Sequence, residues 1–221
     1  MIPFKIYKYQ FFIFNQLIEF RLINWQTIIF KTNFTIMAKN QNYCAFYVAE
    51  PFNPSALGAH ATHDFCHYQM LKAWKGKDST FSFQNAHDTT YNVRDGSDWE
   101  KTLKPRLRER LRNSKNIILF LSSETKNSRA LREEIDYGIN TLNLPIIVIY
   151  PEFKDYSEIL DNNNSLKKSV TNLFDSLPIF RDSRKKVPVL HLPFNKALIQ
   201  SGLLNKGFMS SSPKDAGDYK L

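Results

Sequence analysis

Hydrophobic positions along the chain fall into two patterns, short continuous apolar runs and longer stretches with helical spacing. The apolar runs predict strands at residues 43–49, 116–121, 145–150 and 187–192, with a weaker one at 81–83. Runs without a polar position are typical of strands that are buried on both faces of a parallel sheet. Pro188 in the last run favours an edge position for that strand.

Amphipathic stretches separate these strands. They predict helices at residues 62–75, 99–111, 128–142, 166–180 and 195–204. Pro105 lies inside the second helix and should either kink it or mark its first turn. Strand and helix thus alternate five times, which predicts an α/β fold with a doubly wound, mostly parallel five-stranded sheet. Ligands of such sheets bind outside the carboxyl ends of the strands, near the switch point of strand order.

The first 36 residues differ from the rest, because they contain seven Phe and eight Ile but no Gly, Ala, Ser, Asp or Val. Their uncharged runs are shorter than the roughly 20 residues that span a membrane, and no small-x-small cleavage site follows them. Met37 is followed by a sequence that is typical of a protein N-terminus. We therefore interpret residues 1–36 as a leader that results from a mis-called start codon, or as a flexible N-terminal extension. A membrane-surface or partner helix is the alternative. Residues 37–209 then form a single domain, and residues 210–221 a frayed tail.

Composition narrows the function classes. The few glycines form neither a dinucleotide-binding nor a P-loop phosphate motif. The formal charge of +9 leaves nucleic acid open as a partner, but the leader contributes +3 of it. The basic run at 101–112 alternates with leucines that must be buried, so we interpret it as the solvated face of a helix and disfavour nucleic acid. Two cysteines allow no disulfide framework and fit a reducing, cytoplasmic setting.

The helix at 128–142 carries the carboxylates that could perform chemistry. Glu133 lies opposite the apolar stripe and should be solvated. Glu134 and Asp136 lie on opposite flanks of that stripe, where a carboxyl can be half-buried and its pKa tuned. Periodicity does not choose between the two. Alternatively, these carboxylates have no catalytic role and only stabilise the N-terminal end of the helix through its dipole.

Further candidates lie at the predicted ligand side of the sheet. A loop after the second strand could line a pocket with His87, Asp88 and Asp95, or these could be turn residues. A flat ring could stack on the strand aromatics Phe46 and Tyr47, and phosphate could meet the strand-terminal hydroxyls of Ser122 and Ser123. His63 and His67 are spaced i,i+4, but no acidic or cysteine pair supports zinc, so no metal is expected.

Three segments together resemble a known family. They are NIILFLSS at 116–123, SRALREEI at 128–135 and the apolar strand at 145–150. This order is similar to that of a TIR domain, and DWE at 98–100 sharpens the resemblance to the TIR-like proteins of Thoeris antiphage defence systems. The resemblance covers about residues 43–153 and implies a flavodoxin-like fold. Glu134 matches the family's catalytic glutamate, whereas Ala130 stands where many catalytic TIR domains have tryptophan.

The resemblance implies an NAD-cleaving enzyme that breaks the nicotinamide–ribose bond and releases a cyclic ADP-ribose-type messenger. NAD would be a substrate, with no tightly bound cofactor, and the messenger would reach a separate effector protein. Self-association is a further expectation, and no membrane partner is expected. Two other functions stay open: a non-catalytic TIR-like interaction module, which Ala130 favours, and a flavodoxin-like nucleotide binder.

Overall fold

Five parallel strands form one sheet in the computed structural model, which describes residues 39–48, 62–88 and 98–221. The strand order along the sheet is β1-β2-β3-β4-β5, and each neighbouring pair is parallel. The strands are β1 Gln41–Ala45, β2 Ser114–Phe120, β3 Ile146–Tyr150, β4 Pro188–Pro193 and β5 Gly217–Tyr219. The sheet and its flanking helices confirm the predicted α/β, flavodoxin-like, doubly wound fold.

Helices connect these strands. They are α1 His63–Lys77, α2 Lys104–Arg112, α3 Arg129–Asp136, α4 Tyr156–Ile159, α5 Lys168–Thr171, α6 Pro178–Ser183 and α7 Lys196–Leu204. One π-helical segment, Trp99–Leu103, leads into α2, and a second, Tyr137–Thr141, extends α3. Short 3-10 segments lie at Asn172–Ser176, Arg184–Lys186 and Lys206–Phe208. Pro105 lies in the first turn of α2, which confirms one of its two predicted positions.

Alternate strand residues pack into two cores, one on each face of the sheet. Ile117 and Leu119 of β2 belong to the core that α2 and α3 cover. Ile118 and Phe120 belong to the opposite core, which α1 and α7 cover. Because helices cover both faces, a strand needs no polar position. This explains the continuous apolar runs in the sequence.

The predicted strand at residues 81–83 is wrong. Phe81 and Phe83 are both buried in the α1-side core, but their backbone forms no ladder. A single parallel bridge follows instead, in which the Asn42 N–H donates to Gln84 O at 2.6 Å and the Ala86 N–H donates to Asn42 O at 3.1 Å. This bridge lies on the edge of β1 that faces away from β2. The chain therefore passes on both sides of β1, which makes the end of β1 the switch point.

The predicted frayed tail is also wrong, because residues 217–219 form β5. This strand pairs with β4, so Pro188 does not lie at the edge of the sheet. Proline is tolerated there because it is the first residue of its strand. The tail is ordered by side chains, since Asp218 forms an ion pair with Arg184 and a contact of 2.9 Å with His191.

The predicted helix at residues 166–180 is broken into α5, a 3-10 segment and the start of α6. Leu177 has φ −134° and ψ 74°, outside the helical region. It precedes Pro178, whose ring excludes the helical conformation from the residue before it. The apolar residues therefore keep a helical spacing in the sequence although the helix itself is interrupted at Leu177.

Several predictions concern residues outside the described ranges. The leader at 1–36 and Asp95 are among them, and the side chain of His63 is not described. The leader therefore stays a prediction.

Candidate functional site

A cavity of about 300 Å³ lies at the carboxyl end of β1, the switch point of the sheet. Strand β1, the segment after Asn85, α2 and the first turns of α3 enclose it. Its lining residues are Tyr43, Cys44, Phe46, Val48, His87, Trp99, Leu103, Leu107, Arg110, Ser128, Ala130 and Glu134. The location agrees with the rule that ligands of doubly wound sheets bind beyond the strand ends. We call this the Glu134 cavity.

Helix α3 carries Glu134 into the cavity. The Ser128 side chain caps the helix by accepting the Leu131 N–H at 3.2 Å, and Leu131 and Ile135 are buried. Gly138 in the following π-helical segment has no room for a Cβ, because Ile117 of β2 would touch it. This close approach holds α3 against the sheet, so that Glu134 on its flank faces β1.

Glu134 and Tyr43 form the central polar contact of the cavity. The buried Tyr43 hydroxyl donates to Glu134 Oε1 at 2.8 Å. Burial raises the pKa of Glu134 to about 8, against the opposing effects of this hydrogen bond and of the Arg110 charge. Burial, together with the nearby Glu134 charge, also raises the pKa of Tyr43 well above its usual range. With this pKa, the protonated form of Glu134 prevails at neutral pH.

His87 is fixed beside this pair. Its Nε2 lies 2.9 Å from the carbonyl oxygen of Cys44, which can only accept, so Nε2 carries the proton. Burial lowers the pKa of His87 to about 4, so the ring is neutral at physiological pH. Its centroid is 4.8 Å from that of Tyr43 and 6.3 Å from that of Phe46. These rings form an aromatic wall beside the carboxyl group.

Trp99 supplies a second aromatic surface from another element. It lies on the π-helical segment before α2 and lines the cavity together with Ala130. Outside, the Arg129 guanidinium lies 4.7 Å from the Trp99 ring and also pairs with Glu100 at 2.9 Å. The cavity thus has a tryptophan, although position 130 has none.

Two of the predicted binding residues, Phe46 and His87, line the cavity with Glu134, whereas Tyr47 and Asp88 do not. Tyr47 belongs to the periphery of the core, and its carbonyl accepts the hydroxyl of Thr62 at 2.6 Å. Asp88 is exposed and accepts a hydrogen bond from Asn85 Nδ2 at 2.7 Å. Asp95 lies outside the described residues.

Ser122 and Ser123 are also absent from the cavity lining. Ser122 is buried in a turn, where its N–H donates to Thr125 Oγ1 at 2.9 Å and its Oγ accepts the Glu124 N–H at 3.2 Å. The Ser123 hydroxyl donates to Glu152. Both hydroxyls therefore have structural partners, and binding roles for them stay predictions.

The sequence reasoning missed Tyr43 and Arg110, although their spacing contained a signal. Tyr43 is two residues before Ala45, and both face the α3 side of β1. Arg110 follows the buried Leu107 by three residues, which places it on the inner flank of α2 rather than its solvated face. The assignment of the whole basic run to solvent was therefore wrong at Arg110, which lines the cavity.

None of the described helices is long and apolar enough to cross a membrane. Within the described ranges, no group of three or more His, Cys, Asp or Glu side chains has the arrangement of a metal site.

The fold and the cavity define a class, a doubly wound parallel α/β domain with a half-buried carboxyl, that of Glu134, at the switch point. Residues 43–156 match the family described as Thoeris protein ThsB, TIR-like domain. The match spans just over half of the chain and includes the strands and helices that build the Glu134 cavity. The chain belongs to this family and is a TIR-like protein of antiphage defence.

Proposed function

We propose that the domain cleaves NAD at the nicotinamide–ribose bond and releases a cyclic ADP-ribose-type messenger for a separate effector protein of the defence system. The observation that carries this proposal is Glu134, a carboxyl held at the wall of a cavity that aromatic rings line. A flat pyridine ring fits between such rings, and a carboxylate is the group that a developing positive charge requires.

The chemistry needs little beyond that carboxylate. The bond between ribose C1′ and the nicotinamide ring nitrogen breaks, and its electron pair neutralises the positive ring nitrogen. Ribose passes through an oxocarbenium-like state, as in glycoside cleavage. An ionised Glu134 stabilises that charge, and nicotinamide leaves without a general acid. The new bond at C1′ comes from an atom of the same nucleotide in cyclisation, or from water in hydrolysis, and the displaced proton goes to solvent.

The electrostatics of the cavity favour a cationic ligand. With a pKa of about 8, Glu134 is mostly neutral at pH 7 before a substrate binds. A positive pyridinium ring beside it favours the ionised form and lowers that pKa. His87 does not oppose this, because it is neutral at physiological pH. Binding of the oxidised nucleotide thereby prepares the carboxylate that the reaction uses.

The size of the cavity indicates how the substrate lies. About 300 Å³ is at the lower end of ligand pockets, which suits nicotinamide and its ribose rather than the whole dinucleotide. The adenosine half then extends past the cavity mouth.

A non-catalytic interaction module is the second candidate, and Ala130 favours it. A small residue at this position leaves one wall of the cavity without the ring that the resemblance leads us to expect. Trp99 lines the same cavity from the segment before α2 and weakens this argument. Turnover of NAD separates the two functions.

The test is release of nicotinamide from NAD by the purified protein, with infected-cell lysate added to supply the trigger. We expect turnover by the unchanged protein and a loss of at least about a hundredfold in Glu134→Gln. Glu133→Gln is the matched control, since Glu133 is adjacent on α3 but pairs with Arg108 at 2.6 Å. Absence of turnover in the unchanged protein would support the interaction module, and full activity of Glu134→Gln would refute the assigned role.

A further inference from the structure

The hydroxyl of Tyr43 is the hydrogen-bond donor that the structure gives to Glu134. Tyr43 is fully buried, and its backbone is fixed by pairing with Ile117 of β2. Its ring packs against His87, whose Nε2 is bound to the backbone of β1 at Cys44. The position of the hydroxyl is therefore determined by the sheet and not by α3.

The two oxygens of Glu134 differ in their surroundings. Oε1 accepts the Tyr43 hydroxyl at 2.8 Å. Among the residues that the structure describes, no hydrogen bond to Oε2 is seen, and the Glu134 side chain is half-buried where it lines the cavity. One oxygen is thus held by the protein, and the other is open to the cavity.

We propose that Tyr43 is a positioning residue, which holds one oxygen of Glu134 and thereby presents the other, in its ionised form, to the ribose of the substrate. This role rests on the proposed NAD cleavage. A glutamate side chain has three rotatable bonds, and a single fixed hydrogen bond removes most of that freedom before the substrate binds. A hydroxyl that donates to a carboxylate also stabilises its charged form.

The charged and titratable groups around Glu134 come from three elements. Tyr43 faces it from β1, Arg110 from α2, and His87 from the segment after Asn85. The side chain of Cys44 belongs to the opposite core and interacts with Glu134 only electrostatically. Arg110 and Tyr43 both favour the ionised carboxyl, whereas burial opposes it. Cys44 and His87 are neutral near pH 7, because burial raises the pKa of the thiol and lowers that of the imidazole. Removal of the hydroxyl therefore leaves Arg110 alone to oppose burial.

The experiment compares Tyr43→Phe with the unchanged protein by carbon-13 NMR of the glutamate side chains, with the Glu134 resonance assigned by its absence in Glu134→Gln. We expect its titration midpoint to rise by about one pH unit, since the carboxylate loses its donor. In nicotinamide release, we expect kcat to fall about tenfold or more, KM to change little, and the acid limb of the pH profile to move upward by the same amount.

Tyr150→Phe is the matched control, because it removes a buried hydroxyl that binds His191 instead. It should leave the Glu134 midpoint unchanged. Site-specific 3-fluorotyrosine in place of Tyr43 provides a second variant that keeps the hydroxyl, and its stronger donor should lower the midpoint. An unchanged Glu134 midpoint in Tyr43→Phe, or a loss of activity without a shift of the pH profile, would overturn the positioning role. If the midpoint shifts but the unchanged protein releases no nicotinamide, the proposed function fails and the Tyr43–Glu134 coupling stands.

Discussion

Two buried tyrosines, Tyr43 on β1 and Tyr150 on β3, donate their hydroxyls to titratable side chains. Tyr43 and its partner Glu134 line a cavity, whereas Tyr150 and its partner His191 are fully buried in the core. Tyr150 is hydrogen-bonded to His191 Nδ1 at 2.7 Å, and His191 Nε2 lies 2.9 Å from Asp218, which also pairs with Arg184. Because Asp218 accepts, His191 carries its proton on Nε2, and Nδ1 accepts the Tyr150 hydroxyl. Both nitrogens of His191 are therefore used.

The pKa values of the acids in the two networks are shifted in opposite directions. Burial opposes ionisation of Asp218, but hydrogen bonds from His191 and Arg184 hold its pKa below the usual range. Glu134 is supported by one hydroxyl and by the Arg110 charge, so burial prevails and its pKa is raised. The network around Asp218, in which both carboxylate oxygens of Asp218 have a partner, joins β5 to the sheet. An acid with one open oxygen is available for a ligand.

The largest effect on stability is expected at His191. His191→Ala leaves the Tyr150 hydroxyl buried without its partner and empties a filled position of the core. The free energy of unfolding should fall by about 3 kcal/mol, measured by urea denaturation. Nicotinamide release per folded molecule should stay the same. An undiminished stability, or a specific loss of turnover in the folded variant, would show that the His191 network is not a structural one.

For Glu134→Gln we expect a smaller change in stability, and an increase where His191→Ala gives a decrease. The pKa of Glu134 is about 8 in the folded protein and near 4.5 when unfolded, so between these values the folded state binds more protons. Stability contributed by this site therefore falls as pH rises from 5 to 8. Glu134→Gln has no such dependence, and its stability should exceed that of the unchanged protein by about 2 kcal/mol at pH 8.

The measurement is thermal unfolding of both proteins at pH 5 and at pH 8. The difference in Tm should be small at pH 5 and should favour Glu134→Gln at pH 8. A difference that does not depend on pH would mean that the Glu134 carboxyl titrates as an exposed one.

The sequence predicted the central strands and α3 well, because long apolar runs and a helical stripe leave few alternatives. It failed where local pattern and tertiary pairing differ. Phe81 and Phe83 resemble strand residues, but they fill a core without joining the ladder. Residues 217–219 are polar and resemble a tail, yet Asp218 finds its partners on distant elements.

The candidate site was predicted only in part for the same reason. Spacing brought Glu134 and Asp136 to the flanks of α3, and the resemblance selected Glu134. The Tyr43–Glu134 hydrogen bond joins residues 91 positions apart, a pairing that no local pattern encodes. Trp99 is the first residue of the amphipathic helix predicted at 99–111, and its place beside Ala130 depends on how α2 and α3 pack.

The most direct test of the account is the pH dependence of kcat/KM for nicotinamide release from NAD, which reports the ionisation of groups in the free protein. If Glu134 in its cavity is the catalytic carboxylate, kcat/KM should rise about tenfold per pH unit up to a midpoint near 8 and then level off. Glu133→Gln should show the same profile. A profile that is flat from pH 6 to 9, with turnover intact, would contradict the central claim that this half-partnered acid performs the reaction.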